Sequence, residues 1–212
     1  MTGPARVQLG AVRVVVVSLK GGVGKTTTSV YLAAVAARGR RAVTVVDADP
    51  QGSAAVWLEG RPIERVSVLE APSERLLRKA LAADDDHSVT IVDTPPASER
   101  LATAALSLAD VVIVPTRIGG VEGLRLATTL EMVPPGTPAG VVVSSARPWT
   151  RDFRETLDAW TEEGLPVWGI VPERVGIAAG PDAELHYDGL EAAADIWRRV
   201  TRAGRHSQRE GA

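Results

Sequence analysis

Ser18-Leu19-Lys20-Gly21-Gly22-Val23-Gly24-Lys25-Thr26-Thr27, set between the β-branched run Val12–Val17 and the alanine-rich stretch Thr26–Arg38, decides how this 212-residue chain is read. Consecutive glycines let a backbone turn tightly and point its N–H groups inward, and a helix starting directly behind them adds the positive end of its dipole. Such a turn is built to hold an anion. In that setting Lys25 is placed to reach the β- and γ-phosphates of a nucleotide, and the Thr26 hydroxyl to ligate Mg²⁺. The ordinary phosphate-loop pattern, G-x-x-x-x-G-K-[ST], requires glycine at position 19, where this chain has Leu19. A second lysine, Lys20, opens the turn instead. Only three of the 24 basic residues are lysines, Lys20, Lys25 and Lys79, and two of them stand in this one turn. Where arginine is the default, a retained lysine marks a place that needs a compact point charge and not a planar fork.

Outward from the loop, short apolar runs recur at Ala42–Val46, Val89–Val92, Val111–Val114, Gly140–Val143 and Val167–Val171. They do not alternate with polar residues, as expected of parallel strands covered on both faces. Between them Thr26–Arg38, Ser73–Ala83, Ser98–Leu108, Val121–Met132 and Thr150–Glu163 read as helices. Gly39 is expected to end the first of these in a left-handed conformation, and Ser73, Ser98 and Thr150 to cap three others. A last helix at about Leu190–Arg202 carries an apolar stripe for docking on the core. The expected fold is α/β, a three-layer, mostly parallel phosphate-loop sheet with helices on both faces, in one domain over residues 1–212. The ends, roughly 1–9 and 204–212, read as flexible tails.

Composition narrows the chemistry. The chain has no cysteine, which excludes disulfides, thiolate metal sites and a cysteine nucleophile. Its three histidines, His87, His186 and His206, lack ligand spacing. No apolar run approaches the roughly 20 residues of a bilayer span. A net charge of −2 confines any contact with nucleic acid to a local patch.

Three acids stand at strand ends, Asp47 and Asp49 after one run and Asp93 after another. In an open α/β sheet the carboxyl ends of the strands converge on the ligand crevice, so all three belong near the phosphates. Three carboxylates repel a triphosphate, and a Mg²⁺ ion with the two lysines must offset that charge. Each acid is alternatively a strand-end cap or a surface charge, Asp47 most readily.

The segment Lys20-Gly21-Gly22-Val23-Gly24-Lys25-Thr26-Thr27 resembles the deviant Walker A motif of the ParA/MinD ATPases. Asp47-Ala48-Asp49-Pro50-Gln51-Gly52 is similar to the D-x-D-P-Q-G segment of ParA-type partition proteins, and Ile91-Val92-Asp93-Thr94-Pro95-Pro96 to their Walker B segment. The resemblance implies a slow, partner-stimulated ATPase in which Gly21, Gly22, Val23, Gly24, Lys25, Thr26 and Thr27 bind nucleotide. It also implies that Asp93 holds Mg²⁺ through water with Asp47 behind it, that Asp49 orients the attacking water, and that Lys20 crosses a nucleotide-sandwiched homodimer to the partner's phosphates. Pro172-Glu173-Arg174-Val175 resembles the loop that packs on adenine, which makes Pro172 and Arg174 candidates. Thr27 is equally a first-turn helical residue, and Pro172 equally ordinary punctuation after a strand. Pro115–Gly120 is either a loop that responds to the γ-phosphate or simply the start of the next helix.

Such proteins bind DNA without sequence preference, respond to a ParB-like adaptor, and are cytoplasmic and nucleoid-associated. Candidate DNA contacts are Arg147, Arg151 and Arg154, and a C-terminal set of Arg198, Arg199, Arg202, Arg205 and Arg209. Either set is equally a solvated helix face. The tail after Trp197 is arginine-rich and polar, which argues against a membrane-targeting helix. Two other readings stay open: positioning of a cargo other than DNA, and a ligase of the dethiobiotin synthetase kind, against which Lys20 and the Asp-Pro-Gln-Gly segment argue.

Overall fold

The computed structural model describes residues 11–82, 88–119 and 122–210, with the backbone alone at 122–124 and 206–210. Seven strands, β1 (Val12–Val16), β2 (Val43–Asp47), β3 (Val66–Glu70), β4 (Val89–Asp93), β5 (Val111–Thr116), β6 (Ala139–Ala146) and β7 (Val167–Pro172), form one sheet in the order β3-β2-β4-β1-β5-β6-β7. Every described pairing is parallel. Each crossover carries helix. These are α1 (Lys25–Arg38), α2 (Ser53–Gly60), α3 (Glu74–Ala82), α4 (Glu99–Leu106), α5 (Glu122–Glu131), α6 (Arg151–Glu162), the short α7 (Val175–Ala178) and α8 (Tyr187–Glu210). The fold class read from the sequence therefore holds, with the sheet parallel throughout.

The apolar strands feed two cores. Val12, Val14, Val16, Ile91 and Ile113 pack with α1, α2 and α8 on one face, whereas Val15, Val17, Val92, Val112 and Val114 pack with α3, α4 and α6 on the other. Burial on both faces removes the alternation that a half-exposed strand would show. β1 lies at the centre, between β4 and β5, so its carboxyl end opens where the chain's direction of travel across the sheet reverses.

Several local expectations need correction. Helix α1 does stop at Gly39, but Gly39 has φ −75° and the left-handed residue is Arg40, at φ +64°. Thr150 caps α6 by accepting from the Phe153 amide at 3.3 Å, and Ser73 accepts from Leu76 at 3.4 Å, whereas Ser98 makes no side-chain cap. Helix α8 continues well past Arg202, because Gly204 is buried with room for no more than a methyl group against Val12 and Val111. Residues 204–210 are thus helical. Residues 1–10 and 211–212 lie outside the described residues, as do Ala83, Gly120 and Val121 of the segments read above.

Close packing of α8 on β7 depends on Gly169, where an added Cβ would come within 2.3 Å of Ile196 Cγ1. Ile196 is itself fully buried and has nowhere to retreat. Gly169→Ala is expected to lower stability by about 1–3 kcal/mol, read as an earlier urea midpoint at unchanged slope. A midpoint equal to that of the parent would show that α8 shifts freely.

Candidate phosphate-binding site

At the carboxyl end of β1 the loop from Lys20 turns into α1 through Gly24, whose φ of +86° a side-chain-bearing residue rarely adopts. A Cβ there would also press on Ser144, 3.3 Å from its Cβ. Ser144 lies at the end of β6, and its hydroxyl sits 2.6 Å from the Val23 carbonyl and 3.0 Å from that of Thr116. One buried side chain thus ties the glycine loop to the ends of two neighbouring strands.

Lys25 begins α1 and is only 7% exposed. Its ammonium donates to the Lys20 carbonyl at 3.0 Å, bending back over the loop it terminates. Burial lowers its pKa, and the carboxylates of Asp93 and then Asp49 act against that. The next residue's hydroxyl, that of Thr26, donates to Asp93 at 2.7 Å, and one turn on Ser29 Oγ lies 3.1 Å from the other Asp93 oxygen. Burial pushes the Asp93 pKa up to about 7, the Thr26 and Ser29 hydrogen bonds pulling it down while the neighbouring Asp47 adds to the rise. A buried carboxylate held beside a hydroxyl, with its charge poorly compensated, is a ligand set suited to a hard cation. Among the described residues no cluster of three or more His, Asp or Glu side chains could hold a metal unaided. That fits Mg²⁺, which takes one or two protein oxygens and draws the rest from phosphates and water.

Asp47 is differently employed. Its Oδ2 accepts from the amides of Ala54 at 2.9 Å and Ala55 at 3.0 Å, and its Oδ1 from Asp49 at 3.1 Å. It is therefore the strand-end cap weighed above, fixing the start of α2 and the turn that carries Asp49. Its pKa is raised by burial despite those three amides.

These elements border a cleft of about 800 Å³. Gly21, Gly22, Gly24, Lys25, Thr26 and Thr27 line its polar end together with Asp49, and Pro172 and Arg174 line it farther along. Val23 is packed inward, and Asp93 lies buried behind Thr26. Lys20 is half-buried at the first position of the turn. Arg174 donates to Asp188 at 2.6 Å and to the Glu173 carbonyl at 2.9 Å, so its guanidinium braces the loop before α7. Gln51 and Arg117, which stand in segments the sequence placed at the site, line its polar side; sequence reasoning missed Ser144 there, and Tyr31 and Trp57, which meet edge to face at 6.3 Å, on the apolar side. For Ser144 the signal was present: it is a polar residue ending an apolar run, as Asp93 is.

The candidate DNA residues with described side chains are all exposed, and both sets contain paired arginines. Arg147 grips Glu173 through two hydrogen bonds of 2.5 and 2.8 Å, Arg151 pairs with Glu155, and Arg154 donates to the carbonyls of Pro148 and Trp149. On α8, Arg198 pairs with Asp195, and Arg199, Arg202 and Arg205 are exposed, as Arg147, Arg151 and Arg154 are. The Arg209 side chain lies outside the described residues.

A central-strand glycine loop, a helix-opening lysine and a buried acid behind the following threonine define a phosphate-loop nucleotide-binding protein. The family model of the CobQ/CobB/MinD/ParA nucleotide-binding domain matches residues 14–186, and the chain belongs to that family. It is 38% identical over 162 residues to the maintenance of carboxysome distribution protein A of Gloeobacter kilaueensis, covering 73% of each chain. It is 30% identical to the chromosome-partitioning ATPase Soj of Thermus thermophilus, over 80% of this chain and 84% of that one. Among solved structures, a plasmid partition protein of Borrelia burgdorferi bound to AMPPNP superposes with a TM-score of 0.74 at 16% identity, covering 91% of this chain and 98% of the other.

Proposed function

We propose that this protein is a ParA-type positioning ATPase: Mg·ATP drives closure of two copies face to face, the closed dimer binds DNA without sequence preference, and partner-stimulated hydrolysis releases it. The observation that carries this reading is the pair of lysines in one phosphate loop, with Lys25 folded over the Lys20 carbonyl and the Thr26–Asp93 pair behind.

In this reading the loop amides and Lys25 hold the phosphates, and Thr26 with Asp93 holds Mg²⁺. When bound, the ion would supply neutralisation of the terminal phosphates' negative charge. Asp49 orients the attacking water from a turn fixed by Asp47. Lys20 of each copy neutralises charge on the other's nucleotide. Arg174 and Pro172 border the base, and the cleft's apolar walls at Tyr31 and Trp57 exclude water from it.

The DNA surface belongs on α8. Residues 198, 202 and 205 fall on one helical face, roughly opposite Ile196 and Val200, which dock on the sheet. Charges within 147–158, by contrast, sum to zero: Arg147, Arg151 and Arg154 against Asp152, Glu155 and Asp158. Replacing Arg198, Arg202 and Arg205 together with glutamate is expected to reduce the dependence of log affinity on log salt by about 3 and to leave nucleotide affinity unchanged. The direct test of the whole reading is Mg·ATP titration calorimetry with sedimentation and DNA retention on the same protein. Absence of binding heat ends it.

The carboxysome-distribution relative favours a second reading, in which the same cycle distributes a cargo other than DNA. Both readings use one site and differ in the adaptor, which pull-down with candidate adaptors separates.

A further inference from the structure

Trp149 is 62% exposed, while the chain's other four tryptophans, Trp57, Trp160, Trp168 and Trp197, are buried or half-buried. It stands in the loop between β6 and α6, four residues beyond Ser145, which lines the cleft. The loop is held firmly. Arg154 donates to the carbonyls of Pro148 and Trp149, Thr150 caps α6, and Arg147 is clamped to Glu173, itself a residue of the cleft wall. An exposed indole on an ordered loop loses little conformational entropy on being covered, which suits it to anchoring an interface.

Of the other five exposed large apolar residues, Leu69 and Ile170 lie on the strands β3 and β7, and three lie in or close in sequence to the cleft lining. Val56 lines the cleft, Val175 follows the lining residue Arg174, and Tyr187 precedes the lining residue Gly189 by two. Exposed apolar groups collected about one cleft mark a surface that meets another molecule.

The charges beside Trp149 indicate what that molecule is. They come in opposed pairs, Arg147 with Glu173 and Arg151 with Glu155, and the segment 147–158 has no net charge. A polyanion gains little from such a surface, because its affinity comes from unbalanced cations. A second copy of the same chain gains most, since a two-fold contact sets each residue against a symmetry-related patch and needs both signs together.

We propose that Trp149 is the anchor of the nucleotide-dependent contact between two copies of this chain, inserted against the partner's cleft margin when the copies close. Ser144 links this contact to the ligand: its hydroxyl lies against the phosphate loop at Val23, five residues before Trp149. The proposal rests on the dimer reading given above, and the experiment separates the two.

The parent protein, Trp149→Ala and Trp149→Phe are each sedimented with Mg²⁺ and a non-hydrolysable ATP analogue, iodide quenching of tryptophan fluorescence is measured with and without the analogue, and DNA retention is measured on the same samples. The expected result is a dimer dissociation constant raised at least tenfold in Trp149→Ala and less in Trp149→Phe. In the parent protein, the iodide-accessible emission should disappear on dimerisation. Equal dimerisation of parent and Trp149→Ala overturns the proposal and leaves the dimer reading standing. Equal dimerisation with loss of DNA retention also overturns it and makes Trp149 a nucleic-acid contact. A parent protein that stays monomeric removes the dimer reading and this inference with it.

Discussion

Lys20→Ala is expected to bind Mg·ATP with an affinity within a few-fold of the parent and yet to hydrolyse it at least about 10³-fold more slowly, the scale on which a cation supplied across an interface acts in phosphoryl transfer. The separation follows from the loop's geometry. The Lys20 backbone carbonyl accepts from the Lys25 ammonium at 3.0 Å, and truncating the side chain leaves that carbonyl in place. Mixing Lys20→Ala with a Lys25→Ala protein that cannot bind nucleotide sharpens the test. In the mixed dimer the nucleotide sits in the Lys20→Ala copy and receives an intact Lys20 from the other, so turnover is restored. Unchanged turnover in Lys20→Ala alone, or no recovery on mixing, removes the role between copies.

What the sequence made legible depended on how local the responsible physics is. The glycine loop, the six apolar strands and the acids at their ends are stated by contiguous residues, and the sheet brought Gly21, Lys25, Thr26 and Asp49 to one cleft as the strand-end rule requires. β3 was missed because it is an edge strand. Its Val66-Ser67-Val68-Leu69-Glu70 pairs with β2 alone and leaves Ser67 and Leu69 exposed, so the continuous apolar run that betrays the central strands is missing. Helix α2 was missed because its cap is not local: the carboxylate that accepts its first amides is Asp47, seven residues upstream on another element. The same bond gives Asp47 the capping occupation that the sequence offered as its alternative, with its partners on α2. The two arginine sets looked alike as sequence. Only the structure shows how they are engaged, Arg147 with Glu173 from a distant strand end and Arg198 with Asp195 on its own helix, both sets being exposed.

The largest stability effect concerns Asp93. Its carboxyl is 1% exposed and titrates at about 7 in the folded chain against an ordinary value of 3.8. Folding therefore takes up a proton between those pH values. The group favours the folded state fully below about pH 4, and that advantage is lost as pH rises to 7, with no further change above it. Three pH units at ~1.4 kcal/mol each make the difference about 4 kcal/mol. In protein without nucleotide or metal, the urea midpoint should accordingly fall between pH 5 and pH 8. Asp93→Asn keeps the shape, an acceptor oxygen for Thr26 and a donor for Ser29, but has no charge to bury. At pH 8 it should be more stable than the parent by a substantial part of that ~4 kcal/mol, and its midpoint should no longer depend on pH through this group. The gain has a functional cost, because the amide is a poor ligand for a divalent cation and nucleotide affinity should become insensitive to Mg²⁺. On the proposed reading a bound cation would relieve that buried charge, which would tie folding stability to occupancy of the site. An Asp93→Asn protein less stable than the parent at pH 8 would show that the Thr26 and Ser29 hydrogen bonds outweigh the buried charge, and would remove that coupling.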